Sequence, residues 1–445
     1  MATTTAIAAE GPCHPDLGMG TLAPKDRSSA RGKLPFAQTS YLYYNRSASG
    51  LVRSLSILDR LLAPLVLLAM ILGVIIGVYA PNVQNAFNGA KLAGTSVPLV
   101  IGMIVMMWPA LTKVQYEKLP AIVTTRALWE QLVVSIAINW VIGPFVMTAC
   151  AWIALPDLQT YRTGVIMVGL ARCIAMVMIW NTLAGGDPNL CAIIVIVNSV
   201  LQIILYSPMA LFFIKVISKA DDIPLAYGTT AIAVLIFLGI PLALGLMTRF
   251  ILFFTIGQDR FHRLFLPYFS PLALAGLLYT IIVIFAQQAR HILHNLGPVF
   301  RTIVPLILYF SVMFTATFTG MWWWSNQSWR KGHVGYEEAA VQSFTAASNN
   351  FELSIAVCVA VFGPESDQAL AATIGPLVEV PVLLSLTWVA MYLGRRLKWG
   401  GGQLSLGDPT ATMAFVEGGG TKEMQGNVAD AANTRIDQSG TVDLV

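Results

Sequence analysis

The tract Phe344–Val357, FTAASNNFELSIAV, sets a carboxylate among amides and hydroxyls in the middle of an apolar run. Asn349, Asn350 and Glu352 are its principal hydrogen-bonding members. Two other ionisable groups lie well inside apolar runs: Arg172, followed directly by Cys173, and Glu379 in GPLVEVPVLL. A charge at bilayer depth costs about 2.5–3.5 kcal/mol on insertion scales, so it persists where it lines a pathway or finds a partner. Glu352 and Glu379 are therefore the candidates for proton exchange. One guanidinium facing two carboxylates leaves one of them free to trade a proton with water. The same three charges also suit a static buried ion pair that fixes helix packing.

The weaker candidates surround these. A lone cysteine in a membrane helix is usually an apolar filler, and Cys150, Cys191 and Cys358 read that way. Cys173 differs because it adjoins Arg172, and a neighbouring cation favours a thiolate. Asn198 and Gln202, one turn apart in VNSVLQ, either face the same centre or bond across helices. Trp180 either closes one end of its segment or sits at the membrane interface. The histidines His14, His262, His291, His294 and His333 are expected in tails or loops. No C-x-x-C pair, zinc-ligand spacing, Asp pair or Ser/His arrangement occurs at membrane depth, so no metal, cofactor or enzymatic centre is expected.

Positioning these groups falls to a chain that is 56% hydrophobic and only 11% charged over 445 residues. Ordinary soluble domains carry about 25% charged residues, so the deficit argues for an all-α polytopic membrane protein. The net charge of +4 is mild and unclustered, which excludes a nucleic-acid footprint. Residues 1–55 and 399–445, rich in Gly, Ser, Thr and Ala, read as disordered cytoplasmic tails. The N-terminus has no basic start and no apolar core, so no cleaved signal is expected.

Between the tails lie ten apolar segments, at 61–80, 92–110, 128–155, 161–180, 190–214, 226–250, 268–287, 302–324, 336–362 and 372–394. Lys and Arg in the connections number fourteen on one side and six on the other, which places both termini in the cytoplasm. Tyr161 and Tyr336 open similar segments. An offset of 180 counted from Leu190 pairs segment five with segment ten and sets Ser199 opposite Glu379. Five segments per half, 56–220 and 221–398, make the halves inverted repeats with segments four and nine as equivalents. Both of those have polar centres, GLARCIAMV and TAASNNFEL. They read either as discontinuous helices crossing near the midplane or as two ordinary helices whose amides bond across the bundle.

At GLARCIAMVMIWNTLAGGDPNL and again at FTAASNNFELSIAV the chain resembles the arsenical-resistance efflux family, arsenite permeases of the superfamily that also holds the bile-acid sodium symporters. SVPLVIGMIVMMWPALTKVQYEKLP, NWVIGPFVM and GPLVEVPVLL are similar to it in the same order. The resemblance spans roughly 55–395. The long tails fall outside it and suit a fungal-type member. It implies a ten-helix inverted repeat with helices four and nine crossed and discontinuous. It further implies proton-driven extrusion of arsenite, sometimes antimonite, through the plasma membrane. Matched by motif, Cys173, Arg172, Asn350 and Glu352 become substrate-binding residues, joined by Asn349, Asn198 and Trp180, and Glu352 and Glu379 become proton-coupling ones. Two other functions compete: a sodium-coupled organic-anion symporter of the same superfamily, and a membrane sensor or scaffold that signals through its tails.

Overall fold

A computed structural model describes residues 62–80, 89, 91–92, 95–114, 116–118, 126–174, 176–220, 222–327 and 334–400. The expected tails lie outside these, apart from Trp399 and Gly400, as do Cys13, His14 and His333. What is described is almost entirely helical. In chain order the helices are α1 (Leu62–Tyr79), α2 (Val97–Thr112), α3 (Leu128–Ala154), α4 (Gln159–Leu170), α5 (Met176–Ala184) and α6 (Pro188–Ile217). There follow α7 (Tyr227–Ile256), α8 (Phe261–His294), α9 (Leu296–Ser325), α10 (Tyr336–Ala347), α11 (Phe351–Phe362) and α12 (Asp367–Arg396). Six of them, α3, α6, α7, α8, α9 and α12, are long and apolar enough to cross a membrane. A two-residue hairpin, Lys91–Leu92 against Thr95–Ser96, leads into α2.

Helix ends follow local chemistry. Pro188 opens α6 behind Asp187, whose carboxylate accepts the Asn189 N–H at 2.7 Å. Ser366 caps α12 by accepting the Ala369 N–H at 3.2 Å, and Asn350 caps α11 by accepting the Leu353 N–H at 3.0 Å. The loop-reading of the histidines needs correction. His262 sits in the opening turns of α8, and His291 and His294 lie in its last turn, because the helix runs past the apolar stretch that marked it. His291 Nε2 meets Asp367 Oδ1 at 2.8 Å. Arg249 is buried near the end of α7 and forms a bidentate pair with Glu117 at 2.5 and 2.9 Å.

The helices sort into two groups. In the first, α8 lies along α1 and α2, and α2 also packs on α7. Gly73 and Gly77, one turn apart on α1, face α8 so closely that a Cβ on Gly73 would sit 2.7 Å from the Phe285 Cβ and 2.8 Å from the Ile282 carbonyl oxygen. Small residues at this spacing let two backbones touch. The second group holds α3 to α6 and α9 to α12: α9 packs on α10, α3 and α12, and α4 on α3, α11 and α12. Past α12 the chain turns back, so that Trp399 rests against Phe318 and Tyr336 with ring centroids 5.5 and 5.7 Å away.

Candidate functional site

The polar centres flagged in the sequence are where helix stops. α4 ends at Leu170 with Ala171 extended (φ −87°, ψ 122°), and α10 ends at Ala347 with Ser348 extended (φ −87°, ψ 143°). Each helix is twelve residues long. The two extended pieces meet in one antiparallel bridge, Arg172 to Asn349. Four helix ends therefore converge on one point: the C-termini of α4 and α10 and the N-termini of α5 and α11.

A helix end leaves backbone groups unpaired, and at membrane depth water does not satisfy them. Here the opposite break and the neighbouring helices α6 and α9 satisfy several of them. Asn349 Nδ2 donates to the Val168 and Ala171 carbonyls, both at 3.1 Å. The Asn350 N–H donates to the Ala171 carbonyl at 3.1 Å. Ser354 Oγ and Tyr206 Oη both donate to the Met167 carbonyl, at 3.2 and 3.0 Å. The Ala346 carbonyl accepts from Tyr309 Oη at 3.0 Å. The amides of the tract thus carry structure as well as polarity.

Arg172 is fully buried, and its side chain does not meet a carboxylate. Nη1 donates to Tyr309 Oη at 3.0 Å, while Nε and Nη2 have no hydrogen-bond partner in the protein. Gly143 makes room for it: a Cβ there would lie 2.9 Å from Nη1. The expected pairing of one arginine with two glutamates is thereby corrected, because extended neighbours point to opposite sides and Arg172 turns toward α9. Cys173 has the carboxylates instead. Glu379 and Glu352 are the charged groups acting on it, Ser348 is within reach of the thiol, and Sγ accepts the Val177 N–H at 3.3 Å. The idea of a thiolate stabilised by Arg172 fails for the same reason.

Glu379 is fully buried on α12; Oε1 accepts from Ser348 Oγ and Oε2 has no partner. Glu352 lies in the first turn of α11, partly exposed, where its carboxylate faces its own backbone N–H at the positive end of the helix. Gln202, on α6, accepts the Arg172 backbone N–H. Orphaned buried atoms cluster here: donors on Arg172, Gln202 Nε2 and Asn350 Nδ2, and acceptors Asn349 Oδ1 and Glu379 Oε2.

Six of the predicted residues are therefore brought together: Arg172, Cys173, Asn349, Asn350, Glu352 and Glu379. Asn198 Oδ1 accepts Trp140 Nε1 at 3.0 Å, a bond across helices. Trp180 is buried on α5 with Nε1 unpartnered, and no hydrogen bond ties it to the centre. Ser199 turns back on its own helix, donating to the Val195 carbonyl at 2.7 Å. Tyr309 gave no signal in LYF, where it reads as aromatic filling.

Comparison with known proteins adds identity to geometry. Residues 100–295 match the family model described as the sodium bile acid symporter family. The arsenical-resistance protein Acr3 of Corynebacterium glutamicum is 39% identical over 348 residues, covering 77% of this chain and 91% of its own. The chain belongs to the arsenical-resistance family. The Acr3 of Alkaliphilus metalliredigens is 30% identical over 349 residues, 76% of this chain and 93% of that one. An uncharacterized transporter of Synechocystis sp. is 30% identical over 353 residues, 75% of this chain and 88% of its own. As a member of the arsenical-resistance family the chain is a membrane transporter and not an enzyme.

Proposed function

We propose that this chain extrudes trivalent arsenite, and antimonite by the same chemistry, from the cytosol in exchange for protons, across the plasma membrane. The observation that carries this reading is the set of orphaned buried donors and acceptors beside a single thiol at four helix ends. Arsenite near neutral pH is the uncharged As(OH)₃, whose three hydroxyls both donate and accept. Arg172 and Asn350 would donate to it; Asn349 and Glu379 would accept. Capture by Cys173 replaces one As–O bond with an S–As bond, the thiol proton leaving with the displaced hydroxyl as water. Arsenic stays trivalent. A lone thiol holds the metalloid weakly enough to let it go, whereas three would trap it.

In this reading the chain crosses the bilayer ten times as two inverted five-helix repeats with both termini inside. α4–α5 and α10–α11 are then the discontinuous fourth and ninth crossings. The shared backbone bridge, the equal lengths of α4 and α10 and the matched extended residues support it. Glu352 carries the proton. A carboxylate at membrane depth needs a proton or a ligand over it before the carrier reorients cheaply, so hydroxylated substrate and proton displace one another there. Glu379 holds the Ser348 hydroxyl beside the thiol and shares the task.

The deciding experiment is arsenite uptake into inside-out vesicles with and without a proton gradient. Accumulation that needs the gradient supports antiport; uptake that ignores it, or none at all, removes the proposal. The match to the sodium bile acid symporter model favours a second reading, in which sodium drives transport of an organic anion. Replacing sodium by choline in the same vesicles, with arsenite and then with an organic anion, separates the two.

A further inference from the structure

Gln202 on α6 and Glu379 on α12 are both fully buried, and each reaches the start of one break. Gln202 Oε1 accepts the Arg172 backbone N–H. Glu379 accepts from Ser348 Oγ, on the residue just before Asn349. Arg172 and Asn349 are the bridge partners. A single displacement of 177 positions carries Gln159–Leu170 onto Tyr336–Ala347, Arg172 onto Asn349 and Gln202 onto Glu379. Two long helices thus each bring one side-chain oxygen to a broken segment, one at Arg172 and one at Ser348. One of these groups is an amide and the other a carboxyl.

The Arg172 N–H has lost its helical acceptor because α4 has ended, and an unmet N–H at this depth is expensive. Gln202 meets it. The next residue is Cys173, whose Sγ is held on its other side by the Val177 N–H at 3.3 Å. The thiol is thus fixed between a backbone anchored by α6 and the first turn of α5. An amide accepts this hydrogen bond without itself titrating, so it keeps its hold through a proton cycle that passes Glu379 and Glu352.

We infer that Gln202 is a positioning residue for Cys173, the uncharged counterpart of Glu379 across the two breaks. The inference rests on the reading of Cys173 as the ligand of the metalloid, and its test separates the two. The full chain is prepared with Cys13, Cys150, Cys191 and Cys358 replaced by Ser, leaving Cys173 as the one thiol. Its alkylation by N-ethylmaleimide and its arsenite uptake across a pH series are measured in inside-out vesicles. Gln202→Leu keeps the bulk and removes the acceptor. It frees the break, so alkylation speeds up about tenfold and the arsenite KM rises about tenfold. Gln202→Glu restores the acceptor: alkylation and KM return to the parent values, while the pH profile gains a second step. Parental alkylation and KM in Gln202→Leu, or failure of Gln202→Glu to restore them, overturns the inference. If the parent moves no arsenite but alkylation responds as described, the positioning role stands and the substrate reading falls. If the parent transports arsenite and alkylation does not respond, only the inference falls.

Discussion

Tyr309→Phe removes one oxygen atom and tests the centre most sharply. That oxygen donates to the Ala346 carbonyl at 3.0 Å and accepts from Arg172 Nη1 at 3.0 Å. Among the described residues it is the sole hydrogen-bond partner of a guanidinium that is fully buried and whose Nε and Nη2 are already unpaired. A hydrogen bond to a charged group contributes about 1.5–3 kcal/mol. The phenyl ring stays, so its edge contact with Phe310 at 6.0 Å survives. The loss therefore falls on the guanidinium and on the carbonyl that ends α10. At 1.36 kcal/mol per tenfold, kcat/KM for arsenite is expected to drop about ten- to a hundredfold. The assay is the initial rate of gradient-driven uptake into inside-out vesicles, with thermal unfolding in detergent recorded alongside. A variant with the parental rate and the parental Tm would refute the view that Tyr309 holds Arg172 for its task.

Three further expectations follow from other contacts. Cys173→Ser should abolish arsenite transport with insertion intact, while Ser at Cys150, Cys191 or Cys358 should leave the uptake rate near normal. Glu352→Gln, a permanent mimic of the protonated group, should keep the fold and lose gradient-driven accumulation; Glu352→Asp should retain a slower, pH-shifted activity, read from rate against pH. Glu117 lies in the turn after α2, about a third exposed; partial burial opposes its charge, but the Arg249 hydrogen bonds prevail and hold its carboxyl below the usual range. Its contribution is complete above the unfolded carboxyl value of about 4.3 and lost as pH falls through the depressed folded value. Glu117→Ala strands a buried guanidinium and should cost about 3 kcal/mol, seen as a lowered Tm near neutral pH whose gap from the parent closes in acid.

Much of this was legible in the sequence because membrane helices announce themselves by composition. The expected 61–80 and 336–362 sit on Leu62–Tyr79 and on Tyr336–Ala347 with Phe351–Phe362. Polar clusters at 169–177 and 345–353 marked where helix gives way, since free backbone groups need such side chains nearby. Boundaries failed where helices outrun their apolar stretch: 268–287 became Phe261–His294 and took His291 and Arg290 with it. Partners were less legible than places. That Arg172 turns to Tyr309 depends on where the extended residues point. A one-residue shift in an extended piece reverses its direction. Hydropathy carries no trace of that.

The contact between α1 and α8 has a mechanical consequence. With Gly73 and Gly77 seated against the backbone of α8, the two helices are laminated and have no side-chain layer that could shear between them. Bending one means bending both, so the pair behaves as a stiff board. Compliance must then reside at its edges, where α7 leaves α2 to touch α6 and α11, and where α12 brushes α1. A single methyl group is enough to test this: Gly77→Ala forces a wedge into the laminate.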